Sequence, residues 1–144
     1  MVSTLLRYFF TMKRVTDFLD KSNVQYLATI GLDGKPKVRP FQYMFEEGGK
    51  IWFCTSNQKA VYKELSQQPY VELCASGASM SWLRLEGKAV FSDAIQIKEK
   101  VFALSPLVAG IYKEPTNPAF EVFYLDELTA TISSIGKIAD VIGL

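Results

Sequence analysis

Lys35-Pro36-Lys37-Val38-Arg39-Pro40-Phe41-Gln42-Tyr43 and, a short turn later, Ile51-Trp52-Phe53-Cys54-Thr55-Ser56-Asn57-Gln58-Lys59 decide how this chain is read. Both segments have strand character. The second ends in a polar run that opens a helix. Working outward, Asp33-Gly34 is a hairpin signal, because the tight turn needs positive φ. It joins a strand expected over Val24 to Leu32 to a returning strand over Pro36 to Glu46. Glu47-Gly48-Gly49 is the next turn. Lys50 to Thr55 is apolar on both faces and is expected to be central. Three strands joined by tight turns predict an antiparallel meander, with a helix from Ser56 to Gln67 that Pro69 stops.

Before the meander, Val15, Phe18 and Leu19 follow i, i+3, i+4 spacing and predict a helix from Met12 to Ser22. Residues 1–11 read as an upstream extension, with Met12 as an alternative start. After the second helix, Tyr70 to Ala75 is a strand. Met80 to Phe91 alternates: Leu83, Leu85, Ala89 and Phe91 point one way, while Trp82, Arg84, Glu86 and Lys88 point the other. Gly87 marks a bulge or a crowded neighbour. A helix is expected from Asp93 to Leu104, capped by Asp93 with Gln96, with Ile97, Val101 and Leu104 inward. A connection with one helical turn follows over Pro106 to Pro118, then a strand from Phe120 to Ser133. The tail from Ile135 has no assignment. The expected fold is mainly β with packed helices, a small six-stranded antiparallel β-barrel in a single domain.

At 144 residues the chain is long enough to bury a core without staples. A net charge of +1 gives no footprint for nucleic acid or an anionic membrane. The chain has no histidine, which removes histidine acid–base catalysis, Ser-His and Cys-His nucleophiles and ordinary zinc sites. No metal is expected. Cys54 and Cys74 read as reduced core thiols. No apolar run reaches the roughly 18 residues of a membrane span, and the apolar start is a poor signal peptide because Arg7 interrupts it. A cytoplasmic location is expected.

Two groups of residues invite chemistry. Arg39 stands on an aromatic-rich strand and needs a partner, either an acidic side chain or a bound phosphate. Pro40 lacks a ladder donor and so marks an edge or bulge where backbone is open to a ligand. Thr55, Ser56 and Lys59 stand where a strand gives way to a helix, whose first N–H groups attract anions. Thr55 to Gln58 also fits a capping box, which needs no ligand. On the fifth strand, Trp82 and Arg84 share the outward face. They suit a subunit interface, a stacked planar ligand or plain cover by a helix.

Gly34-Lys35-Pro36, Arg39-Pro40, Ile51 to Ser56, Lys59, Pro69 to Cys74 and Trp82 to Ala89 occur in one order. That order resembles the pyridoxamine 5'-phosphate oxidase-like flavin-binding superfamily, and within it the small nitroimidazole-resistance-type flavoproteins, over roughly residues 12–134. The resemblance implies a split-barrel homodimer with FMN at the subunit interface, a deazaflavin being the less favoured cofactor. It implies that Arg39 and Lys59 hold the phosphate, helped by Thr55 and Ser56. Pro40, Phe41 and Gln42 would run beside the isoalloxazine, and Trp82 and Arg84 would come from the other subunit. The chain departs from true pyridoxamine phosphate oxidases after Arg39, where Phe41-Gln42-Tyr43-Met44 replaces a lysine-ended leucine motif. It also lacks their C-terminal arginine- and histidine-containing motif. Vitamin B6 oxidation is therefore not expected.

The leading expectation is an oxidoreductase that passes electrons from a reduced nicotinamide or similar donor to a small acceptor such as a nitro compound or quinone. The alternative is a non-catalytic flavin carrier or redox sensor. A third reading, single-stranded nucleic-acid binding on aromatic strands, fits the balanced charge poorly. No side chain is assigned as a catalytic acid or base.

Overall fold

A computed structural model describes residues 4–144, and the side chains of all of these but Leu5, Tyr8, Phe9 and Phe10. The chain runs α1 (Thr4–Lys21), β1 (Gln25–Ile30), β2 (Pro36–Pro40), β3 (Phe45–Glu47), β4 (Lys50–Ser56), α2 (Ala60–Gln67), β5 (Tyr70–Ser76), β6 (Ser81–Ser92), α3 (Ile95–Leu104), α4 (Pro106–Tyr112), β7 (Phe120–Ser134) and β8 (Asp140–Ile142). The fold is mainly β with packed helices, as expected. The strands number eight rather than six. Their order is β2-β1-β5-β6-β7-β4-β3, with β8 added to β7, and all pairings are antiparallel. The sheet curls as a split barrel but does not close, because β2 and β3 do not pair. Helix α2 packs against both β1 and β4, across that opening.

The predicted meander is interrupted. Pro36 to Glu46 is not one strand: residues 41–44 leave the sheet between β2 and β3. The cause is local. Pro40 has no N–H to continue the ladder. The next donors are taken by Gln25, whose backbone oxygen accepts from Phe41 N at 2.8 Å and whose side-chain Oε1 accepts from Tyr43 N at 2.9 Å. Gln25 itself is fully buried and donates to Leu19 O. β2 therefore ends as an edge strand paired only to β1, and β4 lies between β3 and β7.

The core follows the inward alternation of the strands. Leu27, Ile51, Phe53, Leu73, Leu83, Leu85 and Phe123 are fully buried, together with Val15 and Leu19 of α1. A second cluster, built on Trp52, Ile97, Val101 and Phe120, seats α3. The Trp82, Arg84, Glu86 and Lys88 face of β6 points away from this core, as the alternation predicts. Gly87 stands at a register shift against β7. A Cβ there would meet Leu125 Cβ at 3.0 Å and the Asp126 carbonyl at 3.1 Å, so the glycine is required by close approach.

The helix ends differ from expectation. α1 reaches back to Thr4, so residues 4–11 continue a helix rather than standing apart; residues 1–3 of the expected extension lie outside the described residues. α2 starts at Ala60, and no side chain caps it at Lys59. The Thr55–Gln58 capping box does not form; Ser56 Oγ accepts from Gln58 N instead. The Asp93–Gln96 cap is also absent. α3 begins after Ala94, whose N–H is taken by Ser92 Oγ. Leu104 is 59% exposed rather than inward. Residues 106–112 form a whole helix, α4, started by Pro106 and capped by Ser105, whose Oγ accepts from Val108 N. The tail supplies β8, which Arg14 of α1 holds through an ion pair to Asp140 at 2.7 Å.

Candidate functional site

Helix α2 gathers one group of the predicted residues. β4 delivers Thr55 and Ser56 to its start, and both are buried. Lys59 stands exposed at the N-cap. Arg39 reaches the same helix from β2. Its Nη2 donates to Glu64 Oε2 at 2.7 Å and its Nη1 to Thr29 Oγ1 at 2.7 Å. Thr29 in turn donates to the same Glu64 oxygen at 2.6 Å. Glu64 is 5% exposed and the Arg39 side chain 24%. The guanidinium has an acidic partner and still meets solvent.

Thr55 Oγ1 is the one buried side-chain polar atom without a hydrogen-bond partner among the described residues. An unmade hydrogen bond of this kind costs about 1–3 kcal/mol. It lies at the strand end that leads into an uncapped helix, beside an exposed lysine. A phosphate placed there would offer acceptors to the hydroxyl, the lysine and the first helical N–H groups. The chemistry of the donors therefore fits an anion. Beside it, burial pushes the Cys54 thiol from 9.0 up to about 11, against the opposing charge of Lys59. Both cysteines are free and half-buried rather than sealed in the core.

Residues 40–42 flank this region without joining it. Phe41 turns inward, its ring 6.0 Å from Phe53 and 5.9 Å from Phe123, while Gln42 is exposed. Trp82 and Arg84 are on the other face of the sheet. Arg84 is opposite Cys74 and pairs with Glu72, whereas Arg39 is opposite the buried Leu27. One chain thus presents the two predicted half-sites on opposite faces. A groove of about 410 Å³ opens beside Trp82, lined also by Cys74, Met80 and Ile135.

The residues that the sequence reading missed are Glu64 and Thr29. Glu64 shares a helix face with the buried Val61 and Leu65. Thr29 shares the inward face of β1 with Leu27. A carboxylate beside Val61 and Leu65 on an otherwise apolar helix face, and a hydroxyl on the inward strand face that also carries Gln25 and Leu27, were the available signals.

Residues 11–130 match the family model described as pyridoxamine 5'-phosphate oxidase. The chain belongs to the pyridoxamine 5'-phosphate oxidase family. Within the family, it is similar to a NimC/NimA family protein from Clostridium acetobutylicum, with 30% identity over 99% of this chain and 100% of that one and a TM-score of 0.86. The fold is also shared with a pyridoxamine 5'-phosphate oxidase-related, FMN binding protein from Nostoc punctiforme, at 15% identity, 100% coverage of both chains and a TM-score of 0.63. A heme binding protein from Mycobacterium smegmatis is similar at 19% identity, over 91% of this chain and 57% of that chain, with a TM-score of 0.70. No curated protein sequence matches the chain. Among the described residues, no helix is long and apolar enough to cross a membrane.

Proposed function

We propose that this family member is a cytoplasmic FMN-binding flavoprotein, a single domain acting as a homodimer, and an oxidoreductase. The observation that carries the reading is the unpartnered Thr55 hydroxyl, buried where β4 runs into the uncapped α2 beside Lys59. Family membership and an FMN-binding protein of the same fold support a flavin phosphate as that anion. Thr55, Ser56, Lys59 and Arg39 hold the phosphate end. Pro40, Phe41 and Gln42 border the ring system on the same chain. Trp82 and Arg84 come from the second chain, because their face of the sheet is turned away from Arg39 within one protomer. The bound flavin supplies two-electron redox chemistry between a reduced nicotinamide and a small acceptor such as a nitro compound or quinone. The protein binds, orients and shields from water. Heme is the poorer fit, since the chain offers no histidine ligand.

Purified protein is expected to show a flavin absorption spectrum, or to gain one on addition of FMN. At about a hundredfold excess over its Kd, FMN stabilises by about 2.7 kcal/mol, which raises the melting temperature by roughly 5–10 °C for a chain of this size. Protein that stays colourless and does not shift with FMN or a deazaflavin sinks the proposal. Lys59→Ala is expected to weaken FMN binding with the fold intact, since Lys59 is exposed and makes no ion pair in the described structure. Turnover with reduced nicotinamide and a panel of nitro compounds and quinones separates an oxidoreductase from a flavin carrier or redox sensor.

A further inference from the structure

Arg39 has five N–H donors arranged on a rigid planar fork. The two terminal nitrogens are already engaged at one end. Nη1 donates to Thr29 Oγ1 and Nη2 to Glu64 Oε2, each at 2.7 Å. The Thr29 hydroxyl closes the triangle by donating to Glu64 at 2.6 Å. A contact from Nη1 to Leu27 O is long, at 3.5 Å. The lateral edge, Nε–H with the second Nη2–H, has no partner among the described residues. Such an edge can take two phosphate oxygens side by side.

The electrostatics of this arrangement are unusual for a phosphate site. Glu64 is 5% exposed, so its charge is poorly screened. It cancels most of the charge of Arg39 toward anything that approaches the lateral edge. A phosphate monoester carries about −1.5 to −2 charge at pH 7. It would dock on Arg39 with a carboxylate directly behind the guanidinium. Lys59 is then the cation of this group whose charge no ion pair offsets.

We infer that Glu64 is a positioning residue that also sets the affinity of this site for a phosphate monoester. With Thr29 it fixes the guanidinium so that the lateral edge stays available, and its charge weakens the phosphate's hold. This rests on the phosphate-cradle reading above. It adds that the site is tuned for an exchangeable phosphate-bearing ligand rather than for the tightest grip.

The test compares FMN with riboflavin, which lacks the phosphate, on the full chain. Glu64→Gln keeps an oxygen acceptor for Arg39 and Thr29 and removes the charge. FMN affinity is expected to rise on the order of tenfold, given like charges a few ångströms apart near a protein surface, while riboflavin affinity stays unchanged. A second variant, Glu64→Met, removes the charge and the acceptor together, so FMN affinity is expected to rise by less than with Glu64→Gln while riboflavin affinity stays unchanged; a rise as large as the glutamine variant's overturns the positioning role. A variant that binds FMN as wild type does, or that loses FMN and riboflavin affinity equally, overturns the inference, since either result makes Glu64 merely structural. Wild-type protein that binds no FMN, or a Lys59→Ala variant that binds it undiminished, overturns the cradle reading itself and is distinguishable from both.

Discussion

Thr55 and Cys54 are neighbours on β4 with opposite outlooks, and each gives a prediction. Thr55→Val removes a hydroxyl that has no partner, so the ligand-free protein is expected to gain about 1 kcal/mol, read as a higher urea midpoint. The same change should reduce the melting-temperature gain from FMN. A hydroxyl with only a structural role would not produce that opposition. Cys54 is expected to react with alkylating reagents at neutral pH more slowly than a free thiol, because burial holds it protonated up to about 11. The sign for stability follows by linkage. The unfolded chain ionises this thiol near 9.0, before the folded one at about 11. The contribution is therefore fully present below the lower value and lost as pH rises between the two. Cys54→Ala should flatten the decline of stability across that window. Much of this chemistry was legible in the residues. Arg39 on an aromatic strand demanded a partner, and an acidic one was open from the start. Which acid it took was not, because the pairing depends on α2 folding across the barrel opening. The Thr55–Gln58 pattern misled for a related reason: helix propensity permits a cap there, but the inward turn of Thr55 is imposed by the alternation of β4.

Strand β2 and the bulge at Gly87 show how single residues decide the fate of whole elements. The hairpin over Asp33-Gly34 was plain from sequence, and Gly34 has the expected positive φ of 78°. The break after Pro40 was visible only as a proline. What ends the strand is Gln25, on a segment fifteen positions earlier, and no local pattern announces such a competitor. At the bulge, Glu127 of β7 takes φ 52°, opposite Gly87 of β6. Gly87→Ala is expected to destabilise by about 1–3 kcal/mol, because backbone and Leu125 Cβ leave no room for the added methyl. Glu127→Gly relieves a left-handed backbone that a side chain disfavours, so it should cost nothing or stabilise slightly. Paired denaturation curves check both. Helix α4 is longer than the single turn expected over this connection, because none of its residues is buried and no burial pattern marks its extent. Its signal was the cap: Ser105 followed by Pro106. Ser105→Ala should cost about 1 kcal/mol, concentrated in the protection of α4 amides from exchange.

The split barrel as a whole carries an exposed face that a monomer would not need. Tyr26, Ile30 and Val38 are 45%, 38% and 68% exposed on adjoining strands, next to the Arg84–Glu72 pair. Sedimentation is expected to report a dimer, and Trp82→Ala to weaken dimer and flavin binding together; a monomer that binds FMN normally would remove the two-chain site. The architecture also has a consequence for biosynthesis. β1, β2, β5 and β6 pair among themselves, but β4 joins this group only through β7, which begins at Phe120. Until the segment from Phe120 onward is made, β6 and β4 each present a bare edge, and the interior between them stands open. Unpaired strand edges recruit other chains. A nascent chain stalled before Phe120 is therefore the species most in need of a chaperone, and synthesis rate through that region should govern how much of the product is recovered soluble.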